Sequence, residues 1–252
     1  MQSIENKIAL VTGANTGIGF QIAKALTENN YTVYVGTRNL EKGKNAASQL
    51  GENAIAITLD VTKQDTINAV VKEIAEKHRK LDLLVNNSGI SRAGKHVRTV
   101  DEVVAADKPS VVSIDEMRTV WDTNVFGVVA VTQAFLPLLK NALTPRIVNI
   151  SSGLGSLTLA MNPNNPYRTH YDLVYGASKA AMNAVTAAFA LEFEESNIKI
   201  NAVSPGYTAT ALNNFQGTDT VEEGSKEPIR VALDESGATG QFTGPNQEHF
   251  PW

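Results

Sequence analysis

The sequence predicts an α/β protein built on a doubly wound parallel sheet of six to seven strands, with helices on both faces. Short, nearly continuous apolar segments alternate with longer amphipathic segments, and parallel strands that are covered on both faces have this composition. The apolar segments end in Gly, Asn, Asp or Ser, which favour turns. No linker, repeat or low-complexity tract divides the 252 residues, so we expect residues 1–252 to form a single domain.

Each predicted element follows from its own hydrophobic pattern. The predicted strands are residues 8–12, 32–36, 54–59, 81–86, 146–150 and 198–203, and residues 241–243 can add a seventh. The predicted helices are residues 17–29, 40–50, 63–80, 114–143 and 172–196. The fourth helix has the clearest apolar stripe, and Ser113 with Glu116 predicts a capping box at its start. Sheets of this kind bind ligands at the carboxyl ends of their strands.

Composition excludes several classes of site. The formal net charge is −4 and like charges form no block, so the sequence predicts neither a nucleic acid nor a membrane as partner. The chain has no cysteine, which excludes disulfides and thiolate chemistry, and its four histidines are too scattered to suggest a metal site. The first strand leaves no room for a leader peptide, and the longest apolar stretch, residues 125–139, is too short to span a bilayer. We therefore expect a soluble, cytoplasmic protein.

A glycine-rich loop follows the first predicted strand and leads directly into the first predicted helix. It places Gly13, Gly17 and Gly19 in a Gly-x3-Gly-x-Gly pattern, which departs from the common G-x-G-x-x-G spacing. Glycines allow a tight turn and let the N–H groups of a helix N-terminus approach a pyrophosphate. Glycine triplets also occur in ordinary turns, but the position between strand and helix favours a dinucleotide-binding loop of the Rossmann type.

Further motifs follow in order, and together with the glycine loop they resemble the short-chain dehydrogenase/reductase family. The matching segments are residues 12–19 (TGANTGIG), 86–89 (NNSG), Asn124, 149–152 (NISS), 175–179 (YGASK) and 205–206 (PG). The resemblance extends from about residue 7 to the carboxyl end, and it is strongest to the carbonyl-reductase branch. It implies a single Rossmann domain that transfers a hydride between NADP(H) and a ketone or aldehyde.

The residue after the second predicted strand bears on the choice of nicotinamide cofactor. An acidic side chain there would bind the ribose 2′-hydroxyl of NAD, but this chain has Arg38 and no carboxylate at that point. A guanidinium can pair with the 2′-phosphate of NADP through two hydrogen bonds. The alternative is an ordinary solvated arginine. We expect NADPH to be preferred over NADH.

The resemblance also assigns the cofactor-binding residues. Asp60 and Val61 are expected to flank the adenine and Asn87 to contact the adenosine side, although Asp60 can also cap the following helix. Thr208 and Thr210 are expected near the nicotinamide carboxamide or the diphosphate. The full predicted set is Gly13, Asn15, Thr16, Gly17, Ile18, Gly19, Arg38, Asp60, Val61, Asn87, Gly89, Tyr175, Lys179, Pro205, Gly206, Thr208 and Thr210.

Tyr175 and Lys179 are four residues apart on a predicted helix and therefore share a face. Such pairs are common by chance, but this one follows a strand that ends in two serines within a dinucleotide-binding fold. A free phenol has a pKa near 10. A cation about 4 Å away favours the phenolate by at most roughly 4 kcal/mol, or about three pKa units. Lys179 is therefore expected to bring Tyr175 into the range useful for proton transfer.

The resemblance gives each catalytic candidate a role. Tyr175 protonates the carbonyl oxygen, and Ser152, rather than Ser151, hydrogen-bonds that oxygen. Lys179 also holds the nicotinamide ribose. Asn124 positions a water that relays protons to Lys179, although an amide on an apolar helix can instead satisfy neighbouring backbone groups.

Three long segments are expected near the nicotinamide end of the cleft. Residues 90–113 and 153–174 can line a substrate pocket or be surface insertions, and residues 207–230 are polar and glycine-punctuated, as in a mobile lid. The sequence leaves open whether the chain is a monomer or a homo-oligomer. Two rival functions are a catalytically silent NADP(H)-binding sensor and a sugar-nucleotide epimerase or dehydratase. The intact catalytic set argues against the first, and the glycine spacing against the second.

Overall fold

A computed structural model describes residues 6–94 and 100–252, in which eight strands form one sheet in the order β3-β2-β1-β4-β5-β6-β7-β8. The strands are β1 (Lys7–Thr12), β2 (Tyr31–Thr37), β3 (Ala54–Thr58), β4 (Leu83–Asn86), β5 (Arg146–Ile150), β6 (Lys199–Val203), β7 (Phe242–Gly244) and β8 (Glu248–His249). Strands β1 to β7 pair in parallel, whereas β8 pairs with β7 in the antiparallel sense.

Helices connect the strands. They are α1 (Gly17–Glu28), α2 (Leu40–Leu50), α3 (Gln64–His78), α4 (Val100–Ala106), α5 (Ile114–Trp121), a π-helical turn (Asp122–Phe126), α6 (Gly127–Leu139), α7 (Leu157–Met161), α8 (Gly176–Glu192) and α9 (Val221–Leu233). Short 3₁₀ turns cover Gly153–Gly155, Arg168–His170, Ala211–Asn213 and Pro245–Gln247. The predicted α/β class and doubly wound Rossmann sheet are confirmed, and β8, which has two residues, is the strand that the sequence did not indicate.

Alternate residues of the central strands pack on opposite faces of the sheet. On one face Leu10 and Ile147 join a buried cluster with side chains of α3 and α6. On the other face Val11 and Val148 join a second cluster with side chains of α1 and α9. Because both faces are covered, the strands need apolar residues at successive positions, which is the pattern on which the prediction rested.

The predicted helix 114–143 is divided and shorter. Its middle forms the π-helical turn Asp122–Phe126, and α6 ends at Leu139. Single π turns inside α-helices often occur at functional sites, and this one contains Asn124. The apolar stripe continues through the insertion, so hydrophobic periodicity alone did not reveal it.

The predicted capping box at the start of α5 is half present. The Ser113 hydroxyl accepts a hydrogen bond from the Glu116 N–H at 3.3 Å. The Glu116 carboxylate does not return to Ser113, because its Oε1 accepts the N–H of Ala93 at 2.6 Å. Glu116 thus links α5 to the segment that follows β4.

Two predicted boundaries near the carboxyl half were wrong. The helix expected over residues 172–196 begins at Gly176, because the Asp172 carboxylate accepts the N–H groups of Tyr175 and Gly176 and caps the helix. The expected lid of residues 207–230 is also shorter. Residues 221–230 belong to α9, whose Val231 and Ala232 pack in the core.

The two predicted insertions contain short helices in their described parts. Residues 95–99 of the first lie outside the described residues, and α4 and the start of α5 follow them. The second contains α7 between two 3₁₀ turns. Within the described ranges, the stretch Ile114–Leu139 has a length and composition that could cross a membrane, but half of its most apolar window is buried, as in the core helix of a soluble protein.

Candidate active site

The carboxyl ends of β1, β4, β5 and β6 bring the sequence motifs together at one edge of the sheet. The loop after β1 contacts the segment after β4 directly. The Thr12 hydroxyl accepts the N–H groups of Asn87 and Ser88 at 3.0 and 2.9 Å. This threonine therefore connects the glycine loop to the NNSG segment, as expected for a strand-end ligand site.

The glycine loop needs glycine for two different reasons. Gly13 and Gly17 have φ of +65° and +59°, a region in which a side chain is strained. Gly19 has an ordinary φ, but a Cβ there would lie 2.7 Å from the Gly13 carbonyl oxygen and would also collide with the Asn87 amide. A close approach between loop and helix is therefore built into the site.

Asn87 supports the glycine loop, a role that the sequence did not reveal. Its Nδ2 donates to the carbonyl oxygens of Thr12 and Gly13 at 2.9 and 3.1 Å. Both amide hydrogens are thus directed at the loop. The expected contact of Asn87 with the adenosine side stays a prediction.

The N-terminus of α1 offers backbone donors to an anion. The helix begins at Gly17, and the preceding Thr16 makes no capping hydrogen bond with its side chain. The first turn contains no acidic residue. The N–H groups of Gly17, Ile18 and Gly19 can therefore bind a phosphate at the positive end of the helix dipole.

Arg38 follows the end of β2, beside the glycine loop that contains Asn15. Arg38 is exposed, and it makes no hydrogen bond or ion pair within residues 6–94 and 100–252. The Thr37 hydroxyl donates to Asn15 Oδ1 at 3.1 Å and so ties the glycine loop to β2. The guanidinium is free to meet a phosphate at the outer end of the cleft.

Asp60 and Val61 have structural partners at the end of β3. Asp60 Oδ1 accepts the N–H and hydroxyl of Thr62 at 3.0 and 2.7 Å and stabilises the turn before α3. Val61 is buried and packs against Gly127, where a Cβ would lie 3.1 Å from Val61 Cβ. Asp60 was alternatively expected to cap the following helix. It stabilises the turn before that helix instead, because the N-cap residue is Lys63.

Tyr175, Lys179 and Ser152 meet where β5 ends and α8 begins. The Lys179 Nζ atom lies 5.7 Å from the centroid of the Tyr175 ring and donates to the Ile150 carbonyl oxygen at 2.8 Å. The Ser152 side chain is close enough to Tyr175 to lower the pKa of the phenol. A phenol, a hydroxyl and an amine therefore converge on one point of the cleft.

Burial controls the ionisation of both residues of the Tyr–Lys pair. Desolvation raises the pKa of Tyr175 to about 12, a rise that the nearby Ser152 side chain opposes and the charge of Asp172 reinforces. Burial also lowers the pKa of Lys179, which is 3% exposed, to about 7. The expectation that Lys179 lowers the pKa of Tyr175 into the range useful for proton transfer is wrong, because the effect of desolvation on the phenol is larger. Lys179 itself is only partly charged near pH 7.

The Asn124 side chain hydrogen-bonds backbone groups, which was the alternative to a role in positioning a water. Its Nδ2 donates to the Ile90 carbonyl and the Ser178 hydroxyl, and its Oδ1 accepts the Ile90 N–H at 2.9 Å. A Cβ on Gly89 would lie 3.5 Å from both Asn124 Oδ1 and Lys179 Nζ. Gly89 therefore lies beside both of these atoms.

Ser151 and Ser152 have different surroundings. Ser151 is buried and donates to Asn183 Oδ1 at 2.6 Å, whereas Ser152 lies at the cleft and accepts the N–H of Leu154 at 3.2 Å. Asn183 also donates to the Gly155 carbonyl at 3.1 Å. Asn183 was missed from the sequence, although its position four residues after Lys179 places it on the same helix face.

The segment after β6 is more self-contained than expected. The buried Thr208 hydroxyl donates to the Pro205 carbonyl at 3.0 Å, and its side chain packs against Gly224 of α9. Thr210 forms a capping box with Asn213. The expected approach of these two threonines to the nicotinamide carboxamide or the diphosphate stays a prediction. Gly206, with φ of +80°, makes the turn that follows Pro205.

Comparison with known proteins decides the family of this chain. The model of the short chain dehydrogenase family matches residues 7–220. The chain belongs to the short-chain dehydrogenase family. Within the ranges described, no three or more histidine, aspartate or glutamate residues are grouped so that they could hold a metal ion.

Relatives of this short-chain dehydrogenase include reductases from fungi, plants and animals. A short-chain dehydrogenase of Penicillium roqueforti is 34% identical over 245 residues, with 94% of this chain and 92% of the relative covered. The (−)-isopiperitenone reductase of Mentha piperita is 30% identical, with 94% and 95% covered. The structure of an NADPH-bound carbonyl reductase from chicken fatty liver is 25% identical, covers 99% of this chain and 100% of that one, and has a TM-score of 0.81.

Proposed function

We propose that this protein reduces a ketone or aldehyde to the corresponding alcohol with NADPH, reversibly, and that Tyr175 supplies the proton. The observation that carries the proposal is the convergence of Tyr175, Ser152 and Lys179 at the end of β5. This convergence lies beside a glycine loop that presents free backbone donors. The relatives that are named as reductases support the same reaction class.

The preference for NADPH is supported by charge at the outer end of the cleft. Arg38 follows β2 and has no hydrogen-bond or ion-pair partner within the described ranges. No adjacent residue has a carboxylate that could accept a hydrogen bond from a ribose hydroxyl. A guanidinium favours a phosphate strongly because it is always charged and donates in a planar fork. The carbonyl reductase from chicken liver was solved with NADPH bound.

The proposed chemistry assigns one task to each side chain. The reduced nicotinamide supplies the hydride. Tyr175 donates its hydroxyl proton to the carbonyl oxygen, and Ser152 donates a hydrogen bond to the same oxygen as negative charge develops there. Lys179, when charged, stabilises the phenolate that remains on Tyr175. Asn124 lies beside Gly89, where a water can return a proton toward Lys179.

The described parts of residues 90–113 and 153–174 and the segment 207–220 are proposed to form the walls of the substrate pocket. Ser91 donates to the Leu212 carbonyl at 2.7 Å and joins the first of these walls to the third. Tyr167 and Tyr207 place their ring centroids 6.4 Å apart and join the second to the third. We propose that residues 1–252 act as one cytoplasmic oxidoreductase domain.

The test is NADPH oxidation by the purified protein against aliphatic ketones, aryl ketones, aldehydes, quinones and keto esters, with NADH as the cofactor control. The Tyr175→Phe variant is expected to lose several orders of magnitude in kcat while it retains its Kd for NADPH. Tyr34→Phe is the matched control, because that hydroxyl pairs with His78 far from the cleft, and its kcat is expected to be unchanged. Stoichiometric NADPH binding without oxidation of any substrate would instead support the cofactor sensor.

A further inference from the structure

The loop that follows Gly89 is fixed by hydrogen bonds to three other residues of the chain, Asn124, Leu212 and Glu116. Asn124 binds both the N–H and the carbonyl of Ile90. Ser91 donates to the Leu212 carbonyl. Glu116 accepts the Ala93 N–H. Arg92 therefore projects from a backbone that is restrained on both sides.

Arg92 has an unsatisfied donor in spite of this restraint. Its Nη1 atom is buried and has no hydrogen-bond acceptor among the residues described. A buried donor without a partner costs free energy, and more so when it belongs to a charged group. Burial raises the pKa of Asp172, and the charge of Arg92 is near enough to oppose part of that rise, yet no ion pair within 4.0 Å joins the two side chains.

The segment that carries this donor runs beside the candidate catalytic residues. On one side, Gly89 adjoins Lys179 Nζ, which lies 3.5 Å from where a Cβ on Gly89 would stand. On the other side, Asp172 accepts the Tyr175 N–H at 2.6 Å. Arg92 is thus three residues from the glycine beside Lys179 and within electrostatic range of the Asp172 carboxylate, in a segment proposed as a wall of the substrate pocket.

We propose that Arg92 donates a hydrogen bond to a second acceptor oxygen of the substrate, which makes it a specificity-determining residue. The favoured substrates are then ketones that carry a neighbouring ester, keto or carboxylate oxygen. This inference rests on the reductase function proposed above. The planar guanidinium suits one or two acceptor oxygens, and a site that is built to hydrogen-bond a substrate oxygen discriminates against an analogue that lacks it.

The experiment compares kcat/KM for ethyl acetoacetate, acetoacetate and a methyl ketone of matched length, in the wild type and in Arg92→Met. The wild type is expected to prefer at least one of the two dicarbonyl compounds by roughly ten- to a hundredfold, the usual contribution of a hydrogen bond to a charged group. Arg92→Met is expected to lose this preference and to keep the activity on the methyl ketone. The ester and the acid show which form of the oxygen is bound.

Three controls keep the result interpretable. Arg118→Met removes one exposed positive charge that pairs with Asp115 on α5, and its selectivity is expected to equal that of the wild type. Arg92→Lys retains the charge without the planar fork and is expected to lie between wild type and Arg92→Met. Titration with NADPH shows that each variant is folded.

An equal loss of activity on all three compounds in Arg92→Met, or an unchanged ratio between them, would overturn the role of Arg92. Failure of the wild type to reduce any carbonyl compound would instead overturn the proposed function. The two failures are therefore distinguishable.

Discussion

Lys179 is hydrogen-bonded to the strand that precedes Ser152: its Nζ donates to the Ile150 carbonyl oxygen at 2.8 Å. Ile150 is the last residue of β5, and Ser152 follows two positions later. A Cβ on Gly155 would lie 2.9 Å from the backbone of Lys179, so the segment after Ser152 also packs against the lysine. The relative positions of Ser152 and Lys179 are therefore set by direct contacts between β5, its loop and α8.

The first prediction concerns the pH dependence of reduction. Burial lowers the pKa of Lys179 to about 7 and raises that of Tyr175 to about 12. Tyr175 therefore remains protonated across neutral pH, while Lys179 loses the charge that stabilises the phenolate. We expect kcat/KM for the carbonyl compound, at saturating NADPH, to fall on the alkaline side with an apparent pKa near 7. Lys179→Arg keeps its charge and should lack this limb, whereas a wild-type limb near the Tyr175 pKa alone would contradict the assignment.

The second prediction concerns stability, through the same lysine. The pKa of Lys179 is 10.5 as an ordinary lysine and about 7 in the folded protein. Between these values the unfolded chain binds more protons, so wild-type stability rises with pH across this window and the penalty is fully present below it. Lys179→Met removes the titration. The free energy of unfolding of the wild type relative to the variant should thus increase by on the order of a few kcal/mol from neutral to strongly alkaline pH, as measured with urea. A pH-independent difference would contradict burial as the cause.

The third prediction separates the two serines of the NISS segment. Ser152→Ala should lower kcat by roughly a hundredfold or more, because a donor to the developing oxyanion is lost, while the free energy of unfolding stays close to wild type. Ser151→Ala should instead lose about 1–2 kcal/mol of stability, since the buried Asn183 partner is left unpaired. Steady-state kinetics and urea unfolding on both variants test this, and the reverse assignment would show the larger kinetic loss in Ser151→Ala.

The fourth prediction concerns the cofactor preference. Arg38→Asp should lower kcat/KM for NADPH by roughly a hundredfold, through loss of charge-assisted hydrogen bonds and added repulsion, and should improve the use of NADH. Arg168→Asp makes the same charge change in the 3₁₀ turn Arg168–His170, away from the glycine loop, and is the matched control for cofactor ratio. Equal efficiency with both cofactors, unchanged by Arg38→Asp, would refute phosphate binding by this residue.

The fifth prediction concerns the close approach at Gly19. Gly19→Ala should weaken NADPH binding at least tenfold and destabilise the fold by about 1–3 kcal/mol, because the added carbon meets the Gly13 carbonyl oxygen. Gly51→Ala is the control: its φ of +92° imposes backbone strain, but nothing lies within 4 Å of the added carbon. It should therefore lose stability without loss of NADPH affinity. Fluorescence titration and urea unfolding distinguish the two effects.

Local pattern was sufficient to predict the framework of this protein. The predicted ends of β1 to β7 differ from the observed ends by at most two residues. Both predicted ends of α2 agree with the structure. The spacing of the motifs also placed Tyr175, Lys179 and Ser152 together, because parallel strands and the helices between them bring loop residues to one edge.

What the sequence could not predict depended on contacts between distant residues. Helix α9 was overlooked because Gly224 and Pro228 interrupt a polar segment, and its stability comes from packing on the core and from the Thr220–Glu223 capping box. The raised pKa of Tyr175 likewise reflects desolvation by its neighbours, which spacing along a helix does not report. The hydrogen bonds between the Asn87 amide and the glycine loop are also a tertiary effect.

The hydrogen bonds from Asn87 to the carbonyl oxygens of Thr12 and Gly13 have a kinetic consequence. Because they form when the chain folds, the glycine loop is already ordered before a dinucleotide binds. Binding therefore costs little conformational entropy of the loop. Exchange of oxidised for reduced dinucleotide between turnovers then requires no rearrangement of this turn. Any slow step in release must come from other parts of the cleft. Exchange of the Ala14 amide hydrogen, which bonds the Gly36 carbonyl oxygen at 3.1 Å, should be slow before the cofactor is added as well as after.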